Sequence, residues 1–189
     1  MARPQTISDE HVMEAARLVI GRRGYSGFTL AEVAAELGVS RTAVILRFKS
    51  TQALRLRITA NMTERFEREL SSIPVSRSGD GLIAFAAAIG ALARSRAAYV
   101  SMMTISHGNL ADPELLPFEK RRAALLRKSI TARMPRTSVT QRTAVNAFKA
   151  HIAGCIIEWA SESRMSASQF LAQRTKEWLQ LACIPFTLD

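Results

Sequence analysis

The chain has 189 residues, 48 % of them hydrophobic, and a net charge of +10. A chain of this length can bury about 70 % of the surface it exposes when unfolded, so neither disulfides nor metals are needed to hold it. The composition excludes a disordered or disulfide-framework protein, and an abundance of Ala, Leu and Arg with few prolines points to an all-α fold.

Ser8 or Thr6 can cap a first helix over about 9–22, whose apolar face is Val12, Ala15, Ala16, Val19 and Ile20. Arg3 and Pro4 precede it as a tail. The stretch GYSGFTLAEVAAELGVSRTAVILRFKSTQAL at 24–54 then holds two short amphipathic segments. Thr29 with Glu32 forms a capping-box pattern, and Leu30, Val33, Ala34 and Leu37 fall on one helical stripe. Gly38 stands where the chain must turn at positive φ. Ser40 can cap a second segment with Val44 and Phe48 facing inward. Two such helices joined through Leu37-Gly38-Val39-Ser40 are the layout of a helix-turn-helix, and double-stranded DNA is the expected partner because its major groove admits one helix.

Residues 8–57 resemble the N-terminal DNA-binding domain of the TetR family of bacterial transcriptional regulators. The matching positions are Ala15-Ala16, Gly24-Tyr25, Thr29, Val33-Ala34, Leu37-Gly38-Val39-Ser40, Val44, Phe48, Ser50 and Leu54. The chain departs from the family's usual residues at Ile45, Arg47 and Thr51-Gln52, where Arg47 and Lys49 can supply charge. The resemblance implies a helix-turn-helix domain over 1–50 and a six-helix effector-binding and dimerisation domain over 51–189. It also implies a homodimeric repressor controlled by an unidentified small molecule. In the groove reading, Arg41, Thr42, Ala43, Ile45, Leu46 and Arg47 face base pairs, Thr29 and Lys49 face the backbone, and the amide end at Thr51 meets a phosphate. Residues 1–57 hold nine Lys or Arg against five Asp or Glu, as phosphate neutralisation requires, although a solvated surface accounts for the same balance.

Ser50 caps a long fourth helix, about 51–71, which the loop 74–81 follows. An Ala-rich helix at about 81–95 and another at about 96–106 come next. Asp112-Pro113 reads as a cap with a first-turn proline, opening a helix to about 133. Ser138 with Gln141 and Ser166 with Gln169 are two more capping boxes, starting helices to about 163 and 183.

Those last two helices carry Val145, Phe148, Ile152, Ile156 and Trp159, and Phe170, Leu171, Trp178, Leu181 and Ala182. Such stripes are either the core of one protomer or, as the resemblance implies, the seam of a homodimer. A dimer has its own reason, since paired helices about 34–36 Å apart read successive major grooves. In the family's helical domain a small-molecule effector is enclosed, and the resemblance points to Met62, Phe66, Phe85, Ile89, Tyr99, Met102, Met103, Phe118, Phe148, His151, Ile152 and Cys155 as lining. Core packing is the competing reading for each. The cluster Lys120, Arg121, Arg122, Arg127, Lys128, Arg133 and Arg136 is a solvated surface or a site for an anion.

Cys155 and Cys183 lack metal-ligand spacing and are expected to be reduced core residues. Asp9 and Glu10 stand where a signal peptide would be apolar, and the most apolar run, Gly81–Ala93, is too short to span a bilayer. A cytoplasmic protein with no membrane partner is expected. The chain has no Gly-rich phosphate loop, HExxH or GxSxG, and His11, His107 and His151 form no nucleophile–base pattern. No enzyme activity, cofactor or metal is therefore expected. A ligand carrier or enzyme that has kept the fold without DNA binding, and a rear domain that answers to a partner protein, are the alternatives.

Overall fold

The computed structural model describes residues 8–25 and 27–187, so Thr6 and the Arg3-Pro4 tail lie outside the described residues. Among the described residues the chain is all helical: α1 Asp9–Arg23, α2 Leu30–Leu37, α3 Arg41–Phe48, α4 Thr51–Ser72, α5 Gly79–Leu92, α6 Arg96–Leu110, α7 Leu116–Arg133, α8 Gln141–Glu162 and α9 Ala167–Leu181. They form two compact units, one of Met1–Glu64 with Val100–Glu119, the other of Arg65–Tyr99 with Lys120–Asp189.

The first unit is built on the stripe the sequence marks. Val12, Ala15, Ala16, Val19 and Ile20 of α1 meet Leu30, Val33 and Ala34 of α2, Val44 and Phe48 of α3, Leu54 and Ile58 of α4, and Ile105 of α6. A polar network stitches the same unit. Buried Asn109 donates to Thr59 Oγ1 (3.2 Å) and Glu119 Oε1 (2.8 Å), while its Oδ1 accepts from the Tyr25 hydroxyl (3.1 Å). Gln52 Nε2 donates to Asp112 Oδ2 (3.1 Å) and Glu114 Oε2 (2.7 Å), and the Arg55 guanidinium donates to the Tyr25 carbonyl and covers its ring at 4.2 Å. The Asn109 amide is thereby matched on both its nitrogen and its oxygen, which is the condition for burying it without a net cost, whereas Arg55 Nε is buried without a hydrogen-bond partner.

In the second unit α5 and α9 run antiparallel and close. A Cβ added at Gly90 would lie 2.4 Å from the Ala167 carbonyl oxygen, so only glycine admits this approach. Leu82, Phe85 and Ala86 pack there with Val145, Phe148 and Ile152 of α8 and Leu171 and Leu179 of α9. Arg133 is 2 % exposed. Its guanidinium donates to the carbonyls of Ile73, Pro74 and Ser129 and to the Ser129 hydroxyl, and it lies 4.9 Å from the centre of the Phe85 ring. Part of the basic cluster is thus an internal brace for the chain after α4, not surface charge.

Several boundaries differ from the sequence reading. Thr29 accepts from the Glu32 amide, but the Glu32 carboxylate pairs with Arg23, which leaves half a capping box. Asp112 closes an Asx turn on the Glu114 amide (2.9 Å), so Pro113 sits in that turn and the helix starts at Leu116. Thr140, not Ser138, caps α8, because its hydroxyl reaches both the amide (3.2 Å) and the side chain (2.9 Å) of Thr143. The Ser166–Gln169 box is present in full. Cys155 is buried as expected, but Cys183 is exposed, because α9 stops at Leu181 and carries the chain out of the core before it.

Candidate nucleic-acid interface

The local sequence explains how α3 is held. Gly38 takes φ 67°, ψ 29°, and its amide and that of Val39 bond back to carbonyls of α2, which ends that helix and turns the chain. Ser40 Oγ then accepts from the Ala43 amide at 3.2 Å and starts α3. Val44 and Phe48 are buried, so the opposite side of the helix points away from the core.

The residues named for DNA contact fall into distinct settings. Arg41, Thr42, Ala43, Leu46, Arg47 and Lys49 are exposed, as is Thr29 at the α2 cap. Leu46 is 78 % exposed, a large apolar side chain left in water. Ile45 is half-buried and packs against the core, and Thr51 is half-buried at the first residue of α4. The Arg47 guanidinium is engaged by the Asp9 carboxylate. Nearby cations are likewise neutralised, Arg17 by Glu14, Arg22 by Glu36 and Arg23 by Glu32. Arg41 and Lys49 have no carboxylate partner among the described residues, which leaves uncompensated charge at both ends of α3. The Asp9 pairing could not be read from sequence, since the two residues are 38 positions apart.

The twelve candidate lining residues are divided between the units. Met62, Met102, Met103 and Phe118 belong to the first, where Met102 is exposed and the others are half-buried. In the second, Phe85, Phe148, Ile152 and Cys155 are buried in one core, with Phe66 and Ile89 packed against it. Tyr99 meets Trp159 edge-on at 6.2 Å. His151 packs against the rings of Phe148 and Trp178, which also meet each other, with the Cys155 sulfur 3.6 Å away, and burial lowers its pKa. Burial, reinforced by Glu158, pushes the Cys155 thiol up to about 11. A recess of about 280 Å³ in this unit is lined by others, among them Arg65, Glu69, Ile73, Ala88, Leu92 and Arg94. Among the described residues no three His, Cys, Asp or Glu side chains gather where they could hold a metal ion. No single helix among them is long and apolar enough to cross a membrane.

The apolar stripe of α8 turns inward, with Val145, Phe148, Ile152 and Trp159 in the core of the protomer and Ile156 half-buried; of the α9 stripe Leu171 is buried, while Phe170, Trp178 and Ala182 are half-buried. What α8 exposes instead is Ala147, Ala150, Ala153, Gly154 and Ile157, and beyond them Leu181 near the end of α9 is 87 % exposed. Periodicity finds both faces of α8 but cannot say which is inward, since alanine fits either.

Residues 12–58 match the family described as bacterial regulatory proteins, tetR family. No curated protein matches the chain in sequence. Among solved structures, a transcriptional regulator from Rhodococcus sp. Rha1 is similar with a TM-score of 0.76 at 17 % identity, over 95 % of this chain and 100 % of that one. A TetR-family member from Streptomyces coelicolor A3 gives 0.70 at 19 %, over 94 % and 98 %. The transcriptional regulator FadR from Bacillus subtilis, in complex with stearoyl-CoA, gives 0.67 at 14 %, over 89 % and 96 %. At these identities the likeness is one of fold, and it extends over nearly the whole chain. The match to the tetR family of bacterial regulatory proteins thus lies at the helix-turn-helix, and the fold of nearly the whole chain is that of these solved structures.

Proposed function

We infer that the protein is a homodimeric, sequence-specific DNA-binding repressor of transcription, working in the cytoplasm and released by a small-molecule effector. The observation that carries this reading is α3 itself: anchored by Val44 and Phe48, exposed on its other side, and flanked by the unpaired cations Arg41 and Lys49. Residues 1–50 supply the DNA-binding domain and 51–189 the effector-binding and dimerisation domain. Arg41, Thr42, Ala43, Leu46 and Arg47 approach base pairs, with Ile45 supporting from its half-buried place. Thr29, Lys49 and the amide end of α4 at Thr51 meet phosphates.

The effector reading is supported by the stearoyl-CoA complex of the Bacillus subtilis FadR, a structure of the same fold. The second unit supplies Phe66, Phe85, Ile89, Phe148, His151, Ile152 and Cys155 as an apolar centre that a ligand enters by displacing packing. The dimer forms on the exposed face of α8, where Ala150, Ala153 and Gly154 let a second helix approach closely and Ile157 is covered. The effector acts by favouring one spacing of the paired recognition helices over another. Fluorescence anisotropy with duplexes from the DNA flanking its coding region tests the core of this reading. A site-specific complex that disperses with rising salt is expected, and its absence on every duplex would overturn it.

A further inference from the structure

The outward side of α3 presents methyl groups and neither an amide nor a carboxylate. Successive residues of a helix advance by about 100°, so the direction opposite Val44 and Phe48 is centred on Leu46, with Thr42 and Ala43 on either side. Exposure agrees: Thr42, Ala43 and Leu46 are exposed, while Ile45 turns back against the core. Of the two arginines, Arg41 stands at the first residue of the helix and Arg47 is engaged by Asp9. Residues 41–48, RTAVILRF, contain no Asn or Gln to bond adenine on two edges and no Asp or Glu to accept from cytosine. What is left to meet the groove at the centre of the helix is apolar but for the Thr42 hydroxyl.

Resting on the DNA-binding reading above, we propose that Thr42, Ala43 and Leu46 read thymine through its C5 methyl group. The methyl stands in the major groove and is the feature there that an aliphatic side chain can recognise. Leu46 spends its exposed time against water, and closing it on a methyl removes apolar surface from both. Side chains three and four apart lie about 5–6 Å from one another, so this patch covers roughly two base-pair steps of 3.4 Å. Each half-site accordingly contains adjacent A·T pairs under Leu46, with any guanine contact displaced toward Arg41.

The test keeps the protein unchanged and alters the DNA. The full chain is used to enrich a binding sequence from a randomised duplex pool, and the enriched duplex is remade with deoxyuridine in place of thymidine, one position at a time. Uracil pairs as thymine does and lacks only the methyl. Affinity is expected to fall about fourfold for each methyl removed beneath the patch and to stay unchanged elsewhere. In the Leu46→Ala variant the thymine-to-uracil ratio at those positions should shrink toward one, which assigns the effect to the contact and not to duplex shape. Equal affinity for the thymine and uracil duplexes overturns this inference and leaves DNA binding standing, as does a ratio that persists undiminished in Leu46→Ala. Failure to enrich any sequence overturns the DNA-binding reading itself and this inference with it.

Discussion

Lys49 and Arg41 stand at opposite ends of one short helix and differ in what they can distinguish. A lysine on a phosphate senses charge alone, whereas an arginine fork can pair with a guanine edge. Lys49→Ala should therefore weaken binding to all sequences alike and reduce the salt slope by about one per protomer, while Arg41→Ala should relax preference at particular base pairs at a cost of about 1–3 kcal/mol. Anisotropy titrations over a range of salt, on matched and scrambled duplexes, separate the two outcomes. The cysteines give a check on burial. The thiolate is the reactive form, and with its pKa raised to about 11 Cys155 stays protonated at neutral pH, whereas Cys183 is exposed. Iodoacetamide near pH 8 should label Cys183 in the folded protein, with Cys155 following only in denaturant, as mass spectrometry will show. Sequence marked Arg41 and Lys49 correctly as exposed cations, because short-range capping and a two-residue apolar anchor fix α3. It could not show Arg47 held by Asp9 or Arg133 buried, since both depend on partners brought from distant parts of the chain.

The pairing of α5 with α9 rests on a glycine where the two backbones touch. Gly90→Ala places a methyl 2.4 Å from a main-chain oxygen, which no rotamer can relieve. A loss of about 1–3 kcal/mol is expected from such overpacking, read as a lower urea midpoint with an unchanged m-value. Gly154 on α8 is the opposite case, with nothing within 4 Å of an added Cβ. Gly154→Arg should leave the protomer folded by circular dichroism yet shift it from dimer to monomer in sedimentation velocity. A variant that stays dimeric would remove this face from the interface. Most helices were legible from apolar spacing and caps, but Asp112 closes a turn ahead of α7 instead of capping it, and at α8 two hydroxyls compete to cap. Ser138 and Thr140 are equivalent on paper, and the Thr143 side chain, not the pattern, decides between them. The sequence left the α8 stripe open between protomer core and dimer seam, and the fold takes the first: its large residues pack with Leu171, Leu179 and Phe85, leaving the small ones outside.

Across the whole chain, the helix-turn-helix was legible because its signals are local: a cap, a stripe, a glycine and a second cap within twenty-five residues. The proposed ligand lining was not, because Phe, Met and Tyr at helical spacing fill a core and line a pocket with the same pattern. The Asn109 network was equally invisible, since Tyr25, Thr59, Asn109 and Glu119 come together only in the folded unit. The central claim is that α3 delivers sequence-selective contact with a duplex from a paired protein. Its most direct test is an anisotropy titration, at several salt concentrations, of duplexes tiled across the DNA beside the coding region. The account predicts one tile bound by two protomers, with affinity falling steeply as salt rises from about 50 to 200 mM, and a shallower fall for Lys49→Ala. Equal binding to all tiles, or a salt slope that Lys49→Ala leaves untouched, would contradict it.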